Sequence, residues 1–233
     1  SVASSAVSII KDTASPTAAT TYSDADGLVK ADDSLIITAT FNENMADAPI
    51  SKVALSGANT LAAINMTKSS ATVYTYTHTV GAGDGTATVA LSIGTDVAGN
   101  VVTSAPTSGA TFTVDNTAPT APAIGSFAAT GGTITANYIN NTNTGFTVSF
   151  TSPDANFSGT AHLYLAGADF TTPITTTVSA AATVYTLTGN AQSITDLGAD
   201  ASKSLTVVIV DTAGNVSVAS SAVSIIKDTA SPT

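Results

Sequence analysis

The chain has 233 residues, 43% hydrophobic and 9% charged, with six Lys+Arg against sixteen Asp+Glu and a formal net charge of −10. That balance leaves no phosphate-tracking surface and sets nucleic-acid binding aside, while the absence of Cys removes disulfides, thiol catalysis and zinc–thiolate sites. The length suffices for two ordinary cores, and no apolar run reaches the roughly 18 residues of a membrane helix, so no membrane insertion of this segment is expected.

In chain order the first feature is a repeat. SVASSAVSIIKDTASPT at 1–17 recurs without substitution at 217–233, an offset of 216 residues. Self-similarity of that kind marks a tandem array. Residues 1–11 are therefore expected to be the last strand of a preceding repeat, and 228–233 the linker to the next. Short alternating segments follow: LIITATF at 35–41, TVYTYTHTV at 72–80 and TATVALSI at 86–93. The second half supplies TITANYI at 133–139, GFTVSFT at 145–151, AHLYLAG at 161–167, TVYTLTG at 183–189, SLTVVIV at 204–210 and SSAVSIIK at 220–227. A two-residue period broken by turn chemistry is the pattern of a sandwich. Glu43 is the one Glu beside fifteen Asp, which disfavours helix and favours turns or oxygen-ligand sites.

Two further motifs set boundaries. DVAGN at 96–100 and DTAGN at 211–215 each precede a final strand and a Pro-bearing linker. Those linkers start at Asp12, Asp115 and Asp228, 103 and 113 residues apart, close to the roughly 100 residues of an immunoglobulin-like domain. The expectation is an all-β chain of two tandem immunoglobulin-like β-sandwich domains, 12–114 and 115–227, with essentially no helix. Proline fixes its own φ and extends its predecessor, so the linkers read as short and stiff. A strand of six or seven residues spans roughly 20 Å, so with its loops each module is expected to be about 40 Å long.

FNENM after a strand, YTYTHTVGAGDGTATVALSIGTDVAGN and the closing FTVDNTAPTAP resemble the bacterial immunoglobulin-like repeats of giant surface adhesins, including those exported by type I secretion. NYINNTNTGFTVSF and LGADASKSLTVVIVDTAGN look like a sister subtype. The resemblance implies a spacer role, an extracellular location at a bacterial cell surface, and frequent Ca²⁺ binding near domain junctions.

Topology turns the acids into a specific expectation. In such a sandwich the chain comes in at the end that also carries the loops after the second and sixth strands. For the first module this proximal end groups Asp12, Glu43 of FNENM, and Asp96 with Asn100. For the second it groups Asp115 and Asn116, Asp154 of SPDANF, and Asp211 with Asn215. Such carboxylates repel one another unless solvated or joined by a cation, and Ca²⁺ takes six to eight oxygens. The other reading is plain turn chemistry, in which Asp bonds a backbone amide two residues on and Gly takes the positive φ. Asp24 and Asp26, with Asp32 and Asp33, form half of a calcium loop or a solvated connection at the opposite, distal end.

Catalysis finds little material. His78 and His162 stand alone on strands, Arg is absent, and no Ser lies in a nucleophile-elbow pattern. Without Trp a sugar cleft is poorly supplied. A Lys to Asn isopeptide would need a buried Lys beside an acid, for which Lys203 and Lys30 are the candidates. The expectation is a non-enzymatic spacer whose partners are neighbouring repeats of the same chain. The alternative is a module that grips a surface ligand or other copies, with 56–70 and 166–178 as the longest stretches of weak pattern.

Overall fold

The computed structural model describes residues 9–152, 154, 158–179, 181 and 183–231. The chain divides between Asn116 and Thr117 into two units. Among the described residues of the first, nine strands run in chain order: β1 (Ala18–Tyr22), β2 (Leu28–Val29), β3 (Ser34–Phe41), β4 (Lys52–Gly57), β5 (Leu61–Asn65), β6 (Thr67–Lys68), β7 (Val73–Thr79), β8 (Gly85–Ser92) and β9 (Thr111–Val114). They build two sheets of order β1-β3-β7-β6 and β2-β9-β8-β4-β5. The first strand is split between the sheets. β1 pairs antiparallel with β3, and beyond the turn at 23–27 β2 pairs parallel with β9. This strand order is that of an immunoglobulin-like sandwich.

Alternation explains which faces meet. β3 turns Leu35, Ile37, Ala39 and Phe41 inward and leaves Ser34, Ile36 and Thr40 exposed. β8 does the same with Ala87, Val89 and Leu91. Tyr74 on β7 packs edge-on against Phe41, ring centroids 5.4 Å apart. Each large apolar side chain buried in this way contributes about 1.5–3 kcal/mol.

The second unit contains β10 (Ala123–Thr130), β11 (Tyr138–Ile139), β12 (Gly145–Thr151), β13 (Gly159–Leu165), β14 (Ala168–Val178), β15 (Val184–Gly189), helix α1 (Ala191–Asp196), β16 (Ala201–Asp211) and β17 (Val223–Lys227). Its sheets run β10-β12-β15 and β11-β17-β16-β13-β14. Phe146, Phe150, Leu163, Leu187, Leu205, Ile209 and Ile225 fill the core. Among the described residues α1 is the one helix, short and set in an otherwise all-β architecture. Asn190 and Ser193 bond each other's backbone N–H in a capping box, which lets six residues hold a helix. No helix among the described residues is long and apolar enough to cross a membrane.

Three stretches differ from expectation. Within 133–139 only Tyr138 and Ile139 join a sheet, beside β17. Gly131, Gly132 and Asn137 take positive φ, and Asn143 Nδ2 donates to the Gly131 carbonyl at 2.7 Å, so 131–137 is a tied loop. The weakly patterned 166–178 is almost wholly β14, an edge strand of eleven residues. An edge position tolerates Pro173, and a register shift beside Leu163 blurs the alternation. Likewise β5 and β6 occupy much of 56–70. Of the strand expected over 1–11, residues 1–8 lie outside the described residues. Residues 9–11 belong to no strand, and Ile9 and Ile10 are 90% and 93% exposed.

Candidate cation site

Asp96 opens a tight turn between β8 and β9. The Asn100 N–H donates to Asp96 Oδ1 at 2.8 Å, Asn100 Nδ2 donates to Oδ2 at 2.7 Å, and the Gly99 N–H donates to the Asp96 carbonyl at 3.2 Å. Gly99 has φ +96°, a conformation that favours glycine. Removal from water opposes the Asp96 charge, but the hydrogen bonds from the Asn100 side chain and from backbone N–H groups outweigh it and hold the carboxyl below its ordinary value. Asp96 is 1% exposed.

Two other segments bring acids to this turn. Glu43 lies just beyond β3, and the Ala46 N–H bonds the Thr95 carbonyl at 2.9 Å, joining that loop to the start of the Asp96 turn. The linker supplies Asp12, whose Oδ1 accepts the Ala14 N–H at 3.0 Å. Further along, the linker is stitched to the sandwich on two sides. The Thr17 N–H donates to Asn42 Oδ1 at 2.8 Å, and the Thr103 N–H to the Pro16 carbonyl at 3.0 Å. One oxygen each from Asp12, Glu43 and Asp96 then lie within 4.8 Å of one another. Removal from water, followed by the charges of Asp12 and Asp96, pushes the Glu43 carboxyl above its ordinary value.

Two oxygens on opposite sides of one Ca²⁺ stand about 4.6–5.2 Å apart, since each ligand distance is about 2.3–2.6 Å. The three carboxylates therefore fit a single hard cation, which would cancel the repulsion that raises Glu43. The site is all oxygen from the acids, which suits Ca²⁺ better than zinc or copper.

The second unit repeats the turn. The Asn215 N–H donates to Asp211 Oδ1 at 2.8 Å and Asn215 Nδ2 to Oδ2 at 3.0 Å. Asp154 Oδ2 accepts the Thr120 N–H at 2.7 Å, the service that Asn42 gives to Thr17 in the first unit. Asp115 and Asn116 belong to the first unit and close its distal end. The Asp115 N–H bonds the Val29 carbonyl, while Asn116 accepts the Ala31 N–H at 2.6 Å and donates to the Gly83 carbonyl at 2.6 Å. Asp24 and Asp26 share a side-chain hydrogen bond that raises the first carboxyl and lowers the second. The Leu28 N–H donates to Asp26 at 3.0 Å. Among the described residues, Asp12, Glu43 and Asp96 are the one group of three acids drawn this close.

Asn42 and Asp200 are linker-holding residues that sequence reasoning passed over. Asp200 accepts the Thr229 N–H at 2.8 Å, and that bond first of all holds its carboxyl below the ordinary value. A polar residue directly flanking a strand, Asn42 after β3 and Asp200 before β16, and opposite a linker was the available signal for both. The histidines sit in structural settings. His78 is 8% exposed, with Nε2 2.8 Å from Asn59 Oδ1, and burial holds its imidazole below the ordinary value. His162 lies 3.1 Å from Asp169. Lys203 and Lys30 are both half-buried.

No family model matches the chain, and no curated protein matches it. Among solved structures it is similar to the FN1–FN3 domains of chicken CNTN1, at 14% identity over 91% of this chain and 66% of that one, with a TM-score of 0.45. It is also similar to the human OSCAR ligand-binding domain, at 13% identity over 91% and 100% of the two chains and a TM-score of 0.31. A third is the Yersinia pseudotuberculosis adhesin InvE, at 16% identity over 91% and 58% and a TM-score of 0.29. The chain thus spans just under two thirds of the chicken structure and less of the Yersinia one. The immunoglobulin-like assignment rests on the strand order and register above.

Proposed function

We propose that the chain is an extender of a repetitive bacterial cell-surface adhesin, a non-enzymatic module that holds distance and load. In this reading a Ca²⁺ ion on Asp12, Glu43 and Asp96 fixes the incoming linker to the first sandwich. The observation that carries it is the position of Asp12. A linker residue brings its carboxylate within 4.8 Å of two acids from separate loops of the sandwich. A cation there ties the junction at the point where an array under tension would otherwise bend. The unsubstituted repeat at a 216-residue offset supports the array.

The test is calorimetric titration of calcium into the chelator-treated full chain. The chain should bind calcium, and replacing Asp12 by Asn together with Glu43 by Gln should remove one ion. An unchanged stoichiometry would exclude these residues as ligands. For the extender role, solution scattering from chains of one, two and three 216-residue repeats should show a maximum dimension rising in equal steps. A dimension that levels off would contradict it.

A further inference from the structure

A cavity of about 540 Å³ opens in the second unit between the stretch around β11 and the segment that follows β17. The first supplies Thr133, Thr135, Tyr138 and Asn141 to its lining, and the second Asp228 and Ser231. Its size falls within the roughly 300–1,000 Å³ of small-molecule sites. Hydrogen bonds build both walls. Asn140 Nδ2 donates to the Thr133 carbonyl at 2.8 Å, Asn140 Oδ1 accepts the Thr142 hydroxyl at 2.6 Å, and Thr142 Oγ1 in turn accepts the Thr133 N–H at 2.9 Å. Asn143 Nδ2 reaches the same Thr133 carbonyl at 3.1 Å. The other wall is held by the Asp228 N–H on the Ile139 carbonyl at 2.9 Å, and by Asp200, whose carboxylate accepts the Thr229 N–H and hydroxyl at 2.8 and 2.9 Å.

Asn140, Thr142 and Asn143 are thus occupied in the frame. Thr135, Tyr138 and Asn141 are exposed, and among the described residues their side chains make no hydrogen bond. The stretch 131–144 holds four Asn, four Thr and no charged residue, on a chain of net charge −10. The first unit differs at the matching connection, where 23–27 joins β1 to β2 and carries the charges of Asp24 and Asp26. Amide and hydroxyl groups offer both donors and acceptors, the complement of a ligand rich in hydroxyls. A tyrosine ring adds an apolar face for the C–H side of a sugar ring. Among the described lining residues Asp228 is the one charged group, which disfavours an anion and leaves no carboxyl pair to cleave a glycosidic bond.

We propose that this cup binds a sugar residue of a neutral oligosaccharide, with Tyr138 stacking on the ring and the Asn141 amide and Thr135 hydroxyl bonding its hydroxyls. The sugar is held and not cleaved. This goes beyond the extender reading, which needs only length and stiff junctions, and it does not depend on a cation, since Asp12, Glu43 and Asp96 take no part. Each hydrogen bond to the ligand replaces one to water, so the net gain per bond is small. A loop already fixed by its own bonds avoids the further cost of ordering on binding, which is what allows a shallow cup to hold a ligand.

The test is saturation-transfer NMR on the full chain in chelator, which removes the cation from the outcome. The probes are neutral oligosaccharides ending in glucose, galactose, mannose or N-acetylglucosamine, with sialylated oligosaccharides as the anionic set. At least one neutral probe should receive saturation, and more of it than any sialylated one. Tyr138→Ala should weaken that binding about tenfold, Tyr138→Phe should keep it, and Asn141→Ala should weaken it about fivefold. Asn141 is an exposed loop residue, so its variant carries the test even where Tyr138→Ala disturbs β11. In equilibrium dialysis a chain of two 216-residue repeats should hold twice as much of the same probe per chain. Absence of transfer to every neutral probe, preference for a sialylated one, binding that survives Asn141→Ala undiminished, or no increase with the second repeat overturns the proposal.

Discussion

The two units carry one turn in two settings. D-x-A-G-N folds alike at Asp96 and Asp211, with the carboxylate accepting the backbone N–H and side-chain amide of the Asn four residues on. In the first unit that carboxylate is buried and shares its surroundings with Glu43 and Asp12. In the second it is half-buried, and the acid on the neighbouring loop, Asp154, bonds a linker N–H instead. The turn is therefore local chemistry, written in five residues. The crowding of charge is a property of which loops the sandwich brings to one end.

The largest expected effect makes this comparison measurable. Phe146→Ala removes a fully buried ring that packs on Phe127 and Phe170. It should cost about 3–5 kcal/mol and lower one of two calorimetric transitions, which assigns that transition to the second unit. Loss of both transitions together would mean that the units do not melt separately.

Next in size is the turn itself. Asp211→Ala removes two hydrogen bonds and should cost the second unit about 1–2 kcal/mol. Asp96→Ala in chelator should cost the first unit less, because the same substitution relieves Glu43 of a neighbouring negative charge. Equal losses measured by denaturant unfolding would show that the acids at the first turn do not interact.

A smaller effect follows from pH. The Glu43 carboxyl is raised in the folded state, so its contribution is most favourable in acid and is lost as pH rises from the ordinary Glu value through the raised one. Asp96 runs the other way. Its contribution is present above the ordinary Asp value and is lost as pH falls through its depressed one. In chelator, Glu43→Gln should therefore flatten the fall in first-unit stability on going from about pH 4 to neutrality, and an unchanged slope would remove the repulsion.

The smallest effect concerns His78. Burial depresses its folded value, so the contribution is present above about pH 6.5 and is lost as pH falls below it. His78→Gln should erase a shallow decline of first-unit melting temperature between pH 7 and 5, and a decline that survives the substitution would place its origin elsewhere.

Several strands with both a buried and an exposed face were legible because alternation is local, although β4 and β9, which also alternate, were passed over. GFTVSFT at 145–151 is β12 residue for residue, and LIITATF falls within β3. The edge strand β14 was not. β14 has a register shift, a proline and a threonine-rich outer face, so its residues carry little of the two-residue period. The convergence of Asp12, Glu43 and Asp96 was legible because strand order decides which loops share an end. The work of Asn42, Asp154 and Asp200 was not, since a side chain that catches a linker N–H depends on the path the linker takes.

The cation is tested most directly by melting the full chain in excess calcium and in chelator, following the transition that Phe146→Ala leaves unmoved. At a calcium concentration one hundred times its dissociation constant, stabilisation of about 2.7 kcal/mol should raise that transition by on the order of 10 °C. The rise should vanish when Asp12→Asn and Glu43→Gln are combined. Identical melts in calcium and chelator, or a rise that persists in the double variant, would contradict a cation held by Asp12, Glu43 and Asp96.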